Sequence, residues 1–389
     1  MPFRVVIALD SLKGSIAAAA ASRAVAEGWR TVRDRDGLVL RPMADGGEGT
    51  RDAFAVAVPG ARRMPVVVAG PDGRDHGADW LLLPDGTGVV ELAATSGIEL
   101  LGGALRPWDA DTRGFGQAIA AALDHGVRRL ILGIGSSAST DGGTGMLAAL
   151  GARFRTAGGD PIAPGARGLA DLASVDLSGL RLPPPDGIDV LTDVANPLLG
   201  PRGAAAVFGP QKGFAPGDVP SVDAALARLA ALLSAGLRDR AGRSGGAEDG
   251  AGIDPAEAGS GAAGGTGFAL RAWGARLVPG AAEVARLIGL AEAIATADLV
   301  VTGEGAYDGQ SAAGKAPAHV ADFAARAGVP VALVAGRIAP DADTSPFAAC
   351  LSLSDLAGGS AAALADPLRW LRRAGAELAA RGAAGSARP

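Results

Sequence analysis

The chain is poor in the residues that usually carry redox, metal and nucleophile chemistry. One cysteine, Cys350, in 389 residues excludes a disulfide framework and a cysteine-built metal site. His76, His125 and His319 are the only histidines. They lack metal-ligand spacing and read as structural or surface residues. No Ser-His-Asp order comes with a G-x-S-x-G elbow. No apolar run reaches the length of a membrane span, and MPFRVVIALD is too short in apolar length, and charged too early, for a signal peptide. A soluble, cytoplasmic protein is expected, with no membrane partner. The net charge of -5 comes without a clustered basic face, so nucleic acid is not an expected partner.

Two further scarcities are more pointed. Of 36 basic residues only three are lysine, Lys13, Lys212 and Lys315, and each sits in a glycine-containing loop, DSLKG, GPQKG and AAGKAP. Where arginine supplies nearly every other positive charge, a compact ammonium suggests a need that a planar guanidinium would not meet. Asn196, in DVANPL, is the only asparagine. What the chain has in plenty is glycine, 60 residues, yet with 25 prolines and 48% hydrophobic content it stays below the composition of disorder. Its length suits two domains.

Residues 299–315, LVVTGEGAYDGQSAAGK, form the organising stretch. An apolar run, Leu299-Val300-Val301, predicts a buried strand, and Gly303 and Gly305 then allow a sharp turn. Glu304 and Asp308 are thereby placed at a strand's carboxyl end, where open α/β sheets put their ligands. Gly309, Gly314 and Lys315 almost complete a P-loop, but Ala316 replaces the Mg²⁺-binding Ser or Thr. A phosphate-directed lysine loop of another design is the reading, against a plain glycine-rich turn.

Strands are predicted at 3–9, 38–41, 298–302, 330–335 and 349–353. Helices are expected at 15–29 with Ser15 as N-cap, after 50, at 315–327, and after Asp366 with Pro367 at its first position. This alternation predicts a parallel doubly wound sheet, two strands from the start and three from the end of the chain. The middle carries strands at 65–69, 88–92, 130–134 and 188–192 and helices at 114–124 and 221–236, enough for a second α/β domain. A discontinuous domain (1–59 and 286–381) with an inserted one (60–285) and a disordered tail (382–389) is expected, with the ligand in the cleft between the domains. Residues 241–260 read as a mobile loop.

Other loops carry candidate chemistry. Gly133-x-Gly135-x-x-Ala138 after a strand fits a dinucleotide pattern, but Ser136, Ser137, Ser139 and Thr140 follow in place of an apolar helix. With Asp141-Gly142-Gly143 they make a nest for anionic oxygens, or a serine-rich turn. Asp193 and Asn196 stand at a strand end as a general base with its partner, as Mg²⁺ ligands, or as an Asp/Asn-Pro turn. Gln211 and Lys212 lie in a tight turn. Residues 261–267 precede a helix near Phe268, so Gly264 and Gly265 serve anion binding or close packing. Lysines, carboxylates and glycine nests suit phosphoryl transfer.

Seven ordered blocks resemble the class I glycerate kinases: 8–15 (ALDSLKGS), 42–50 (PMADGGEGT), 133–135 with 141–143, 193–198 (DVANPL), 207–213, 261–267, and 302–305 with Asp308, Gln310, Ser311, Gly314 and Lys315. The resemblance covers nearly the whole chain. It implies a flavodoxin-like parallel doubly wound domain with a large inserted α/β domain, and ATP- and Mg²⁺-dependent phosphorylation of D-glycerate, usually to 2-phosphoglycerate. The roles read for these residues are Asp193 as general base with Asn196 orienting it or reaching the metal, Lys13, Lys212 and Lys315 on phosphate and carboxylate charge, and Glu304 with Asp45 on Mg²⁺ directly or through water. Binding roles fall to Asp10, Ser11, Gly46, Gly47, Glu48, Gly133, Gly135, Ser136, Ser137, Asp141, Gly142, Gln211, Lys212, Gly264, Gly265, Gly303 and Ser311. Three departures stand out. Ala306 and Tyr307 occupy the place of the usual arginine, a charge-assisted clamp worth about 1.5–3 kcal/mol, with Arg337 the candidate to compensate. The hydroxyl loop reads Ser136-Ser137-Ala138-Ser139-Thr140-Asp141, and Leu12 replaces an aromatic. Alternatives to a glycerate 2-kinase are 3-phosphorylation, a related hydroxy-acid kinase, a nucleotide-dependent oxidoreductase, or a non-catalytic ligand-binding regulator; a homodimer is one open assembly, and the oligomeric state is not written in the sequence.

Overall fold

A computed structural model of the chain describes residues 2–12, 14–243, 253–309 and 316–385. The chain divides into two compact units, one of residues 1–45, 52–59 and 281–389 and the other of 46–51 and 60–280.

In the first unit the apolar runs RVVIAL, LVVTG and VALVA become the strands Arg4–Leu9, Leu299–Gly303 and Val331–Ala335. They are apolar without alternation because both faces are covered. With Gly37–Leu40 and Ala349–Ser352 they make a five-stranded sheet that is parallel throughout. Numbered along the chain, its strands lie in the order 2-1-3-4-5. Val5, Ile7 and Leu9 pack with Val301, Val334 and Leu351, and with Val25, Trp29, Leu371 and Leu378 from the helices Ala18–Arg30 and Pro367–Gly385. Those helices approach so closely that a Cβ on Gly28 would stand 1.8 Å from the Arg372 carbonyl oxygen.

The second unit holds a six-stranded sheet in the spatial order Arg276–Val278, Ile188–Leu191, Arg129–Gly133, Thr87–Glu91, Asp75–Leu82, Arg62–Ala69. The first four are parallel and the last two antiparallel. Its core joins Val90, Leu130, Leu132 and Val190 to Phe115 and Ile119 of the helix Arg113–His125 and to Val222, Leu226, Leu229 and Leu233 of the helix Val219–Arg243. The last helix is long and apolar enough to cross a membrane by length and composition, contrary to the expectation that no segment is, but these four side chains are buried in the core.

Several local expectations change. The first helix starts at Ala18, with Ala17 as its N-cap and no side-chain cap. Ser15 instead donates its N–H to the Leu12 carbonyl within a turn. Asp75–Leu82 was not expected as a strand, because Asp, His and Gly dilute its β-propensity. The Gly70-Pro-Asp-Gly73 turn brings it back on Arg62–Ala69 over eight paired residues. The helix Val219–Arg243 runs into the segment expected as a loop from 241, and residues 244–252 lie outside the described residues. Likewise the helix Pro367–Gly385 continues past 382, where a disordered tail was expected, and 386–389 lie outside the described residues. Asp366 does cap this helix, accepting the N–H of Arg369 at 3.2 Å.

Candidate active site

In the first unit the strands Arg4–Leu9 and Leu299–Gly303 pair in parallel from Val5↔Leu299 to Leu9↔Gly303, so their carboxyl ends lie side by side. This is the point where the 2-1-3-4-5 order reverses, the ligand position of an open parallel sheet. Asp10 donates its N–H to the Gly303 carbonyl (2.8 Å), and its carboxylate accepts the Ser11 N–H at 2.6 Å. Thr302 Oγ1 donates to the Ala8 carbonyl at 3.0 Å. Glu304 follows at 8% exposure, its main-chain carbonyl accepting the N–H of Gly336. Asp10, Ser11, Gly303 and Glu304 therefore come together. Half-buried Asp45 lies two residues beyond Met43, whose N–H donates to the Leu9 carbonyl. Lys13, Gln310, Ser311, Gly314 and Lys315 lie outside the described residues. Ala306 pairs in register with Arg337 in a short parallel bridge, which puts an exposed guanidinium residue beside the alanine.

In the second unit Gly46 and Gly47 press against Gly133 and Gly135. The N–H of Gly135 donates to the Gly46 carbonyl at 3.0 Å. A Cβ on Gly135 would come within 2.5 Å of Gly47 Cα, and one on Gly133 within 2.8 Å of the Gly46 oxygen. These glycines thus serve close backbone approach, and no helix opens until Thr144. Glu48 is exposed.

The loop after the strand Arg129–Gly133 is built around a buried carboxylate. Asp141 Oδ2 accepts the Thr112 N–H (3.0 Å), the Thr112 hydroxyl (2.7 Å) and the Gly145 N–H (3.0 Å), and Oδ1 accepts the Gly143 N–H (3.1 Å). Asp141, expected from the sequence as a ligand contact, here takes four hydrogen bonds that hold its own loop to Thr112. Ser136 takes a left-handed φ of 58° and is exposed, while Ser137, Ser139 and Thr140 are buried.

Lys212 crosses to this loop from its own tight turn. It is 3% exposed, and its Nζ donates to Ser137 Oγ at 2.7 Å and to the Ser139 carbonyl. Burial pushes this ammonium down to about 7, with Asp141 acting in the opposite sense. Ser139 Oγ and Thr140 Oγ1 are buried without a hydrogen-bond partner. Gly264, at φ 66°, closes the cluster. A Cβ there would stand 2.2 Å from the Ser139 oxygen and 3.0 Å from Lys212 Nζ, and its carbonyl accepts the Gly142 N–H at 3.0 Å. Gly265 similarly abuts Gly142. Both glycines therefore allow close backbone packing. Gln211 is exposed.

Asp193 lies just past the strand Ile188–Leu191, exposed, its Oδ1 accepting the Gly280 N–H at 2.8 Å. Asn196 Nδ2 donates to the Arg202 carbonyl at 2.8 Å, and its own carbonyl accepts the Gly261 N–H, so this carboxamide shapes the turn. Among the described residues no group of three or more His, Cys, Asp or Glu lies together as a metal site.

Sequence reasoning passed over Thr112, Asp111 and Glu91. Asp111-Thr112 before an amphipathic run looks like a helix start, and Thr112 is indeed the N-cap residue. Its hydroxyl instead bridges Asp141 to the N–H of Met146. Glu91, 4% exposed, receives the N–H groups of Gly49 and Arg51. An acid closing the apolar run TGVVE was its only signal.

Parallel strands with acidic and hydroxyl-bearing loops at their carboxyl ends place the chain among α/β proteins whose ligands bind at strand ends. The glycerate kinase family model matches residues 5–382, and the chain belongs to that family. It is 39% identical over 343 residues to the glycerate 2-kinase of Escherichia coli (strain K12), covering 87% of this chain and 86% of that protein. It is 40% identical over 349 residues to the glycerate kinase of Bacillus subtilis (strain 168), at 87% and 86% coverage. A crystal structure from Salmonella typhimurium LT2, of a protein assigned as glycerate kinase 2, superposes with a TM-score of 0.81 at 39% identity, over 99% of this chain and 100% of that one.

Proposed function

We propose that this enzyme transfers the γ-phosphoryl group of ATP to D-glycerate, giving 2-phospho-D-glycerate, as a cytoplasmic kinase. The reading rests on family membership and on one observation in particular: Asp193 stands exposed at a strand end, its Oδ1 oriented by the Gly280 N–H. An oriented, exposed carboxylate can take the proton from the C2 hydroxyl as that oxygen attacks phosphorus. Asn196 supports it by fixing the turn that follows. Lys212 keeps the hydroxyl loop in shape, and Ser136 and Ser137 with their backbone hold substrate oxygens. Lys13, Lys315 and Ser311 neutralise and bind phosphate or carboxylate, as their motif positions imply.

Mg²⁺ fits the donors of the first unit. Glu304 and Asp45 offer hard carboxylate oxygens, and Mg²⁺ typically takes one or two protein carboxylates and completes its shell with phosphate and water. When bound, the ion would neutralise charge on the transferring phosphate. The first unit reads as flavodoxin-like because its strand order is 2-1-3-4-5, and we read 1–59 with 286–381, and 60–285, as the two domains of the chain.

The test is phosphorus NMR of the product formed from ATP, Mg²⁺ and D-glycerate. A 2-phosphoglycerate resonance growing with ADP is expected. A 3-phosphoglycerate resonance would overturn the regiochemistry, and saturable glycerate binding without ADP release would overturn catalysis.

A further inference from the structure

The second unit also contains a cavity of about 270 Å³ beside the hydroxyl loop, none of whose lining residues is assigned to substrate above. Its floor is apolar, from Phe154 and Ile162, and Arg113, Arg153 and Arg155 line it together with Asp111. The floor exists because Arg153–Arg155 pairs antiparallel with Ser174–Asp176 while the N–H of Ile162 donates back to the Phe154 carbonyl at 3.1 Å. Asp111 is only 8% exposed, its Oδ1 accepting the Arg113 N–H at 3.0 Å and its Oδ2 lying 3.9 Å from Arg113 Nε. Burial first, and Asp141 second, raise its carboxyl to about 6. A carboxyl group driven toward its neutral form can donate a hydrogen bond as well as accept one.

The guanidiniums are placed without being neutralised as a set. Arg155 Nη1 is steadied by the Gly159 carbonyl at 2.5 Å, and Arg153 has an exposed partner, Asp176, at 3.7 Å. Setting Asp141 against Lys212, on which it also acts, and counting Asp111 and Asp176 as fully ionised leaves three arginines against two acids. A mostly apolar floor with surplus positive charge and a buried carboxyl selects a ligand of matching polarity. We propose that this cavity is a second ligand site, for a small organic carboxylate carrying an apolar body about the size of a benzene ring. A ring of that size fits a cavity of roughly 150 Å³, which leaves space for the acid group. The site is independent of which reaction the enzyme performs.

Benzoate is the probe, titrated by calorimetry and by protein NMR, with benzamide as the neutral isostere and phenyl phosphate as the other anion. Saturable benzoate binding at millimolar affinity or better is expected, with benzamide at least tenfold weaker. The double variant Arg153→Gln/Arg155→Gln should weaken benzoate by at least about tenfold and leave kcat unchanged. Asp111 faces Arg113, and Asp141 beyond it, so benzoate should bind more tightly at about pH 5.5 than at about pH 7.5, a difference that Asp111→Asn removes. Absence of saturable benzoate binding would overturn the proposal, as would displacement of benzoate by glycerate or ATP, or equal affinity for benzamide. Phenyl phosphate binding more tightly than benzoate would overturn the carboxylate assignment.

Discussion

Two loops leave adjacent strands of the second unit at the same end, since Gly133 and Leu191 are register partners in a parallel pair, and they treat their aspartates in opposite ways. Asp141 is fully buried and takes four hydrogen bonds from its own loop and from Thr112. Asp193, two residues past the neighbouring strand, is exposed, with its Oδ1 accepting the Gly280 N–H. An acid at a strand end is thus not by itself a catalytic signal. Burial among the donors of its own loop marks the acid that holds that loop, and exposure marks the acid that can meet a substrate.

The comparison breaks most visibly at Asp141. Replacing it by Ala orphans three buried N–H groups at about 1–3 kcal/mol each, so a loss of roughly 4 kcal/mol is expected. Urea unfolding would show it as a lowered midpoint, and an unchanged midpoint would mean that the loop does not need its carboxylate.

Lys212 gives a pH-dependent version of the same contrast. Its folded value near 7 lies below the ordinary 10.5, so between those limits the unfolded chain binds a proton that the folded chain does not. Unfolding free energy should therefore rise as pH increases from about 7 toward 10.5, by a few kcal/mol at about 1.4 kcal/mol per unit. Below pH 7 both states carry the proton and this dependence stops. Lys212→Met should flatten the rise, read as the difference between the two proteins' denaturation curves.

Gly264→Ala is a smaller perturbation. A left-handed φ of 66° and a Cβ 2.2 Å from the Ser139 oxygen predict about 2 kcal/mol of destabilisation. A drop in kcat larger than the loss of stability would show that the hydroxyl loop also positions substrate.

Much of the fold was legible because its strands are unbroken apolar runs. The runs at 4–9, 299–303 and 331–335 could be read directly, as could 129–133, since burial on both faces leaves no other pattern. The hairpin strand Asp75–Leu82 was not legible, because what determines it is its partner Arg62–Ala69 and not its own composition. At the site, Lys212 was visible as a rare ammonium, but its target was not. Ser137 and the Ser139 carbonyl lie 75 and 73 residues away, and nothing local encodes that meeting. The glycines at 133, 135, 264 and 265 were visible too, and their pattern alone could not separate anion binding from close packing.

The most direct test of the account is steady-state turnover of Asp193→Asn, measured on a preparation whose thermal melt matches the parent protein. The amide oxygen can keep the bond from Gly280 but cannot accept the proton, so kcat should fall by about 10²–10⁴ with the melting temperature nearly unchanged. Near-parental kcat in a folded Asp193→Asn protein would contradict the assignment of Asp193 as the base, and with it the distinction drawn between the two aspartates.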